Sequence, residues 1–241
     1  MIVSYNDKTI FSLAQPFIVQ HTTELQKEID LTWEKFSNGK DPKDFFNGNV
    51  FLITNIKNDN GYILTIGQSK YADLIFAKRT SKITVRSLFV ASYVITFDKQ
   101  ICVIKNKRNK INTIGGMADK ADFIGQQFIP LNCLLREWKE EIGIDLNDFK
   151  NYFSVTPRYL KIPSVNEMEI PLYPIGILYE VKTNLTSLEL ISMFNKYKSL
   201  TDGEVSELVF YNKDTFSQVR DCKNAESYLF ELFENIINSQ L

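Results

Sequence analysis

Hydrophobic positions recur along the chain with two different periods, and the change of period predicts an ordered series of strands and helices. Alternation of apolar and polar residues predicts a β-hairpin in 49–67, with its turn at 58–61. Apolar residues at helical spacing predict a helix in 22–36, which Thr22 or Thr23 caps. The segment 69–79 is predicted as a short helix or an extended stretch.

The second part of the chain repeats this alternation of strands and helices. Two strands joined at Asp98-Lys99 are predicted in 87–107, and a polar loop follows the glycine pair at 115–116. A helix is expected in 131–142, with Pro130 in its first turn and Gly143 as its C-cap. The remaining predicted elements are a strand in 169–182 that Pro174 makes bulged or places at an edge, a helix in 186–198 with a Thr186–Glu189 capping box, a strand in 207–212 and an amphipathic helix in 225–237.

This order of elements predicts an α/β (α+β) fold. The chain has 241 residues, which is enough for one or two domains with a sizeable core. We expect residues 1–80 to form a small N-terminal α+β subdomain and residues 81–241 to form the main domain.

The composition of the chain makes several classes of function improbable. The net charge of −1 gives no basic face for duplex nucleic acid. The three cysteines are widely spaced and odd in number, so we expect reduced thiols and neither a disulfide framework nor a zinc site. No apolar run approaches the ~18–20 residues of a membrane span, and the N-terminus has no signal-peptide pattern. We therefore predict a cytoplasmic protein without a membrane partner.

The only histidine, His21, lies next to a predicted helix start and is interpreted as a surface or capping residue. This interpretation directs the search for chemistry away from histidine-dependent catalysis and towards carboxylates and metal ions.

The sequence REWKEEIGI, residues 136–144, places three glutamates on the predicted helix in 131–142. With Arg136 at zero, ideal helix geometry puts Glu140 near 40°, Glu137 near 100° and Glu141 near 140°. The apolar residues fill the adjoining arc, from about 160° to 260°. Such a cluster, taken alone, is more often a solvated acidic face, but Mg²⁺ also prefers hard oxygen ligands of this kind.

REWKEEIGI resembles the second half of the Nudix box, and the preceding segment 97–116 is similar to the strand pair that leads to the paired glycine of that family. The matching positions are Arg136, Glu137, Glu140, Glu141, Gly143 and Ile144, with Trp138 where an aliphatic residue is usual. The resemblance implies a Nudix-type α/β/α sandwich with a mixed sheet, preceded here by the N-terminal layer.

The first half of the box departs from the family pattern. Arg136 follows Gly116 by twenty residues, about six more than the family has. Counting back from Arg136 puts Phe128 in the slot of the upstream glutamate, whereas counting forward from Gly116 puts Asp122 there. Either Asp119 or Asp122 is a candidate to replace the glutamate.

The resemblance implies hydrolysis of a nucleoside diphosphate linked to another group, with Mg²⁺ or Mn²⁺ as cofactor. Glu137, Glu140 and Glu141 would hold the metal, and Arg136 would pair with a carboxylate. Gly115 and Gly116 would let the backbone approach the substrate, although a plain tight turn is the alternative explanation for the pair.

The general base stays open. A box glutamate, Glu137 or Glu141, is one candidate. Glu204 and Glu207 in a later acidic segment are others, and Glu167 and Glu169 are weaker ones.

The N-terminal segments 45–53 and 63–79 are similar to the region before the Nudix core in a eukaryotic branch that includes UDP-glucose and UDP-galactose pyrophosphatases. The resemblance implies a small-molecule nucleoside diphosphate derivative such as UDP-glucose, with ADP-ribose, dinucleotides and nucleotide cofactors as alternatives. Arg108 and Arg79 are candidate phosphate contacts. Tyr71 and Phe46 are candidates to stack on a base, with core packing as the alternative role.

Two other interpretations remain. Loss of the upstream glutamate favours a catalytically weak or inactive Nudix-fold protein that binds or senses nucleotides. The other is a scaffold whose first layer mediates homodimerisation.

Overall fold

The computed structural model describes residues 1–41, 47–201 and 203–240. The α-helices are α1 Thr23–Ser37, α2 Tyr71–Thr80, α3 Pro130–Glu137, α4 Ser187–Tyr197, α5 Gln218–Asp221 and α6 Leu229–Gln240. The strands are β1 Ile2–Ser4, β2 Ile10–Ile18, β3 Asn49–Asn58, β4 Tyr62–Lys70, β5 Leu88–Ile95, β6 Ile101–Asn106, β7 Ile111–Asn112, β8 Ile114–Met117, β9 Phe123–Ile124, β10 Gln127–Phe128, β11 Phe153–Lys161, β12 Ile175–Thr183 and β13 Val205–Tyr211.

The main sheet has the order β1-β11-β12-β5-β6-β13, with β7 beside β6 and β8 beside β5. Strands β12 and β5 are parallel and the other neighbours are antiparallel. One face of the sheet packs against Leu134 and Trp138, and the other face packs against Leu229 and Phe233 of α6. The predicted α/β (α+β) class with a mixed sheet between helical layers is confirmed.

The N-terminal part forms a second, three-stranded sheet in the order β2-β4-β3. The predicted hairpin is present, with β3 antiparallel to β4. Helices α1 and α2 pack together through Ile29 and Phe76. Leu64 of β4 lies in the same hydrophobic cluster as Leu88 of the main sheet, and β1 is itself an edge strand of the main sheet. The division at residue 80 stays a prediction.

Three local expectations need correction. Pro174 precedes β12 and does not interrupt it, and β12 lies between β11 and β5 rather than at an edge. Strand β11 was not predicted because Pro157 lies within it, where the register with β12 shifts. His21 is half-buried, and its Nε2 lies 2.7 Å from Oδ2 of the buried Asp73, so it is not a surface or capping residue.

The predicted glutamate helix exists but changes form within the box. Helix α3 ends at Glu137, and residues 138–142 form a π turn that Gly143 closes in the left-handed region, with φ 76°. Trp138 anchors this turn to the sheet, because its indole nitrogen donates to the Ser92 hydroxyl at 2.8 Å. All three cysteines are free, as predicted. Within the described segments, no helix has the length and apolar character needed to cross a membrane.

Candidate functional site

The glutamates of the box line one open cavity of about 500 Å³. Strand β8 forms one wall, α3 and the π turn form another, and the start of β3 closes a third side. The lining residues are Asn49, Val50, Gly115, Gly116, Met117, Ala118, Asp119, Arg136, Glu137, Glu140, Glu141 and Glu204. We call this space the acidic cavity, and it contains all the predicted metal ligands.

The guanidinium of Arg136 contacts several of the carboxylates at this site. Its Nη1 donates to Glu137 Oε1 at 2.6 Å and to Glu140 Oε2 at 3.0 Å. Its Nε and Nη2 donate to the two carboxylate oxygens of Asp122 at 3.1 and 3.0 Å, in the bidentate geometry typical of arginine. The predicted pairing of Arg136 with a carboxylate is therefore present, and the guanidinium contacts three carboxylates in all.

The structure decides between the two countings of the box. Asp122 is 1% exposed and reaches Arg136, whereas Phe128 is buried between Phe11 and Phe123 at ring-centroid distances of 5.5 and 5.2 Å. The extra residues therefore follow Asp122, where β9 and β10 form a short hairpin. Asp119 caps the turn before Asp122 and its backbone N–H donates to that carboxylate at 2.7 Å.

The glycine pair lies in a strand rather than in a tight turn, since Gly115 and Gly116 pair with Ala91 and Val90 of β5. Gly115 has φ +149°, and a Cβ there would lie 2.2 Å from the Val90 carbonyl oxygen. A Cβ on Gly116 would lie within 2.5 Å of the Glu137 carboxylate. Gly115 therefore requires glycine because of its backbone conformation and close approach, whereas a side chain at Gly116 would displace the Glu137 carboxylate.

The π turn places the glutamates in different environments. Glu137 and Glu141 are 8% and 9% exposed, whereas half of the Glu140 side chain is open to solvent. Glu141 accepts a hydrogen bond from the Gly115 backbone N–H at 2.8 Å, which ties the helix to the glycine strand. A π turn rotates the positions after Glu137 relative to an ideal α-helix, and such turns are frequent at functional sites.

Burial raises the pKa of the Glu137 carboxyl to about 7, although the adjacent Arg136 guanidinium lowers it. Glu140 and Asp122 raise it further through their negative charge. The cavity thus holds more negative charge than one guanidinium balances.

The donor set suits a hard divalent cation. Carboxylate oxygens are the ligands that Mg²⁺ prefers, and it is typically held by one or two carboxylates together with water and substrate phosphates. Among residues 1–41, 47–201 and 203–240, no three carboxylate, thiol or imidazole groups are already arranged to hold a metal ion. Arg136 contacts one oxygen each of Glu137 and Glu140, so a cation bound by these carboxylates would lie beside the guanidinium.

The other predicted residues divide between positions at the cavity and positions away from it. Glu204 lines the acidic cavity, whereas Glu207 pairs with Lys105 at 2.7 Å. Glu167 accepts from the Ser164 backbone N–H at 2.8 Å, far along the chain from the box, and Glu169 is likewise not part of the cavity lining. Arg108 does not line the acidic cavity, but it lines an adjacent cavity of about 280 Å³ that shares Glu204.

The residues proposed from the N-terminal layer are involved in local packing. The Arg79 guanidinium lies 4.9 Å from the centre of the Phe36 ring, and Tyr71 packs edge-on against Trp33. Phe46 lies outside the described residues.

A further cavity of about 230 Å³ lies on the other side of the glycine strand and was missed at the level of sequence. It shares Gly115, Gly116 and Met117 with the acidic cavity, and the rings of Phe89 and Tyr228 line it. The Tyr228 hydroxyl is fixed by Thr113 at 2.6 Å. Its residues come from distant segments, so no local sequence pattern indicates it.

No protein-family model and no curated protein sequence matches the chain. Several solved structures resemble it in fold. DR0079 from Deinococcus radiodurans has 16% identity and a TM-score of 0.49, with 78% of this chain and 98% of that chain covered. A Nudix-family hydrolase from Clostridium perfringens has 15% identity and a TM-score of 0.37, with 63% and 95% covered.

The Nudix domain of NrtR from Shewanella oneidensis, solved in complex with ADP-ribose, has 10% identity and a TM-score of 0.40, with 69% of this chain and 97% of that chain covered. At these identities and TM-scores, the activity of this chain has to be inferred from its own site.

Proposed function

We propose that this chain is a Nudix-type hydrolase that cleaves the phosphoanhydride bond of a nucleoside diphosphate linked to another group. The observation that carries the proposal is the convergence of Arg136, Glu137, Glu140 and Glu141 with the glycine strand on one cavity. The same four residues fill the second half of the Nudix box in the sequence.

In this proposal Glu137, Glu140 and Glu141 hold Mg²⁺ or Mn²⁺. The metal, when bound, would neutralise diphosphate charge and activate a water molecule. Arg136 keeps the carboxylates in place, and the backbone of Gly115 and Gly116 leaves room for the phosphates. Asp122 holds the far side of the guanidinium and so takes over the positioning role of the missing upstream glutamate.

The proposed general base is an acid at the cavity wall. Of the later acids named from the sequence, Glu204 lines the cavity, whereas Glu167, Glu169 and Glu207 are not among its lining residues. We therefore rank Glu204 with Glu137 and Glu141 and set Glu167, Glu169 and Glu207 aside. Glu204→Gln separates these candidates, because the loss of a base lowers kcat more than it changes KM.

The substrate class follows from the space around the glycine strand. A diphosphate in the acidic cavity would lie next to the cavity lined by Phe89 and Tyr228, whose rings suit a nucleobase or another planar group. A nucleotide sugar such as UDP-glucose is our first choice of substrate, because segments 45–53 and 63–79 are similar to that branch. ADP-ribose and dinucleotides share the same diphosphate and follow next.

A second candidate function is nucleotide binding without turnover. It is favoured by the occupation of Glu137 and Glu140 by Arg136 in this structure. In that case the guanidinium would keep the carboxylates from a cation, and the cavity would bind its ligand without hydrolysing it.

The test is a hydrolysis panel of nucleotide sugars, ADP-ribose and dinucleotides with Mg²⁺ or Mn²⁺, with products identified by mass. We expect release of a nucleoside monophosphate from at least one substrate. Glu140→Gln/Glu141→Gln should lower kcat/KM by about 100-fold or more, since a metal contributes several kcal/mol to such a reaction. The control is Glu24→Gln/Glu34→Gln on the exposed face of α1, which should retain full activity.

Activity that survives the Glu140/Glu141 change in a folded protein would disprove the metal assignment. Ligand-dependent thermal stabilisation without product, in either metal, would favour the binding protein.

A further inference from the structure

A second small-molecule cavity lies between the three-stranded N-terminal sheet and the loop that carries the extra residues of the box. Its volume is about 410 Å³, which is in the range of small-molecule sites. None of its lining residues belongs to the acidic cavity. We call it the phenylalanine cavity.

Three aromatic rings, from three different strands, form the apolar walls of the phenylalanine cavity. Phe51 of β3 is 3% exposed, and its ring lies 6.2 Å from the ring of Phe17 and 4.6 Å from the ring of Phe123. Phe17 and Phe123 are only partly buried, so their rings offer a surface to a planar ligand, whereas Phe51 packs behind them. Phe123 belongs to the short hairpin after Asp122, so the inserted loop itself supplies one of the three walls.

Polar side chains stand around these rings. Gln15, Gln68 and Gln126 each carry an amide, which offers both a hydrogen-bond donor and an acceptor. Lys120 adds a positive charge at the exposed edge. Within the described part of the chain, none of these four side chains has a hydrogen-bond or ion-pair partner. Their hydrogen-bonding groups are therefore available to a ligand.

We infer that the phenylalanine cavity binds a nucleoside monophosphate or a closely similar molecule, one that has a planar heteroaromatic ring and a single anionic group. The partly exposed rings of Phe17 and Phe123 take the base, the glutamine amides pair with its polar edge, and Lys120 pairs with the phosphate. Among the residues that the structure describes, no carboxylate lines this cavity, so the site needs no metal ion to accept an anion. The inference does not depend on hydrolysis in the acidic cavity.

The test is isothermal titration calorimetry of the full chain with AMP, GMP, CMP and UMP in the presence of EDTA. EDTA removes the cation that the acidic cavity is proposed to need, so the two sites are measured separately. We expect saturable binding of at least one nucleotide at one site per chain. The matching nucleoside and ribose 5-phosphate, which carry only the ring or only the anion, should each bind at least about 10-fold more weakly.

Two variants locate the binding. Lys120→Glu should weaken it by about 10-fold or more, whereas the exposed Lys150→Glu, outside both cavities, should leave it unchanged. Leu13→Trp should fill the cavity and abolish binding, with circular dichroism to verify the fold. Glu140→Gln/Glu141→Gln should bind like the unmodified chain.

The inference is overturned if none of the four nucleotides binds. It is equally overturned if binding persists in Lys120→Glu or in folded Leu13→Trp, or if it disappears in Glu140→Gln/Glu141→Gln.

Discussion

The acidic cavity and the phenylalanine cavity both take residues from the segment 117–126, yet they are held together by different forces. In the acidic cavity, carboxylates converge on Arg136 through hydrogen bonds of 2.6–3.1 Å. In the phenylalanine cavity, neighbouring rings pack at 4.6–6.2 Å and the surrounding amides have no partner among the described residues. One loop thus joins a site that depends on charge balance to a site that depends on packing.

This difference determines how each site responds to change. Charge balance depends on pH and on cations, because each carboxylate can be protonated or paired. Packing of rings depends on volume and shape and is insensitive to pH. Substitutions on the two sides of the loop should therefore differ in kind as well as in size.

The largest effect is expected from Phe128→Glu, which places a negative charge among packed aromatic rings. Phe128→Glu restores the family's acidic residue by one counting, but it buries a carboxylate against Phe11 and Phe123. We expect a loss of at least about 4 kcal/mol in unfolding free energy, from the lost ring and the unpaired charge, and no gain in hydrolysis. Urea denaturation measures it, with Phe128→Leu as a control that should lose only about 1 kcal/mol. A stable and more active Phe128→Glu would mean that Asp122 does not fill that role.

The next largest effect is expected from removing the positive charge of Arg136 at the acidic cavity. Arg136→Met leaves the buried Asp122 and Glu137 without a cation, which should lower the unfolding free energy by about 3–5 kcal/mol at pH 8. The loss should shrink at pH 5, where Glu137 is protonated because its pKa is about 7. Arg136→Lys keeps the charge without the bidentate contact and should lose less. Equal losses at both pH values would contradict a charge-based role.

The pH dependence of the unmodified, metal-free protein gives an intermediate effect. The pKa of Glu137 is about 7 in the folded protein, against an ordinary value of 4.5. The folded state therefore holds more protons between these values, so this residue's contribution to stability is present at low pH. We expect the unfolding free energy to fall by about 3 kcal/mol between pH 4.5 and pH 7 on account of Glu137. Thermal melts should show that Glu137→Gln removes this fall, and an unchanged slope would show that another group is responsible.

The smallest effect is expected at the rim of the phenylalanine cavity. Gly125 has φ +61° and open space around its missing side chain. Gly125→Ala should lose about 1 kcal/mol from the left-handed backbone alone, whereas Gly125→Asn should lose less because asparagine tolerates that region. Thermal melts at pH 5 and pH 8 should give the same difference. A loss that varies with pH would link this turn to the carboxylates.

The two cavities also differ in how far the sequence predicts them. Glu137 precedes Glu140 and Glu141 by three and four residues on a predicted helix, so their shared face follows from helix geometry. The glycine pair was recognisable, but its position in a strand was not, because the close approach to Val90 and Glu137 exists only in the folded chain. Asp122 and Phe128 were interchangeable by counting, and only the contact with Arg136 decides between them.

The phenylalanine cavity has no local signature. Its rings come from β2, β3 and β9, and each phenylalanine taken alone is an ordinary core residue. Proline misled the prediction of strands for a similar reason. Pro174 lies before β12, where its missing N–H breaks no ladder bond, and Pro157 lies within β11, where a register shift accommodates it. The strand pairing in the folded chain decides where each proline lies, and the residues next to the proline in the sequence do not show it.

The position of β1 at the edge of the main sheet has a consequence for the order of folding. Ile2 pairs with Lys161, so this strand pair cannot close until the chain has been synthesised beyond β11. The hairpin of β3 and β4, by contrast, connects Asn58 to Tyr62 and can form as soon as both strands have left the ribosome. The β3–β4 hairpin should therefore form early, whereas β1 can pair only after β11 has been made. Pulse-labelling hydrogen exchange would show this as early protection of β3 and β4 and late protection of β1.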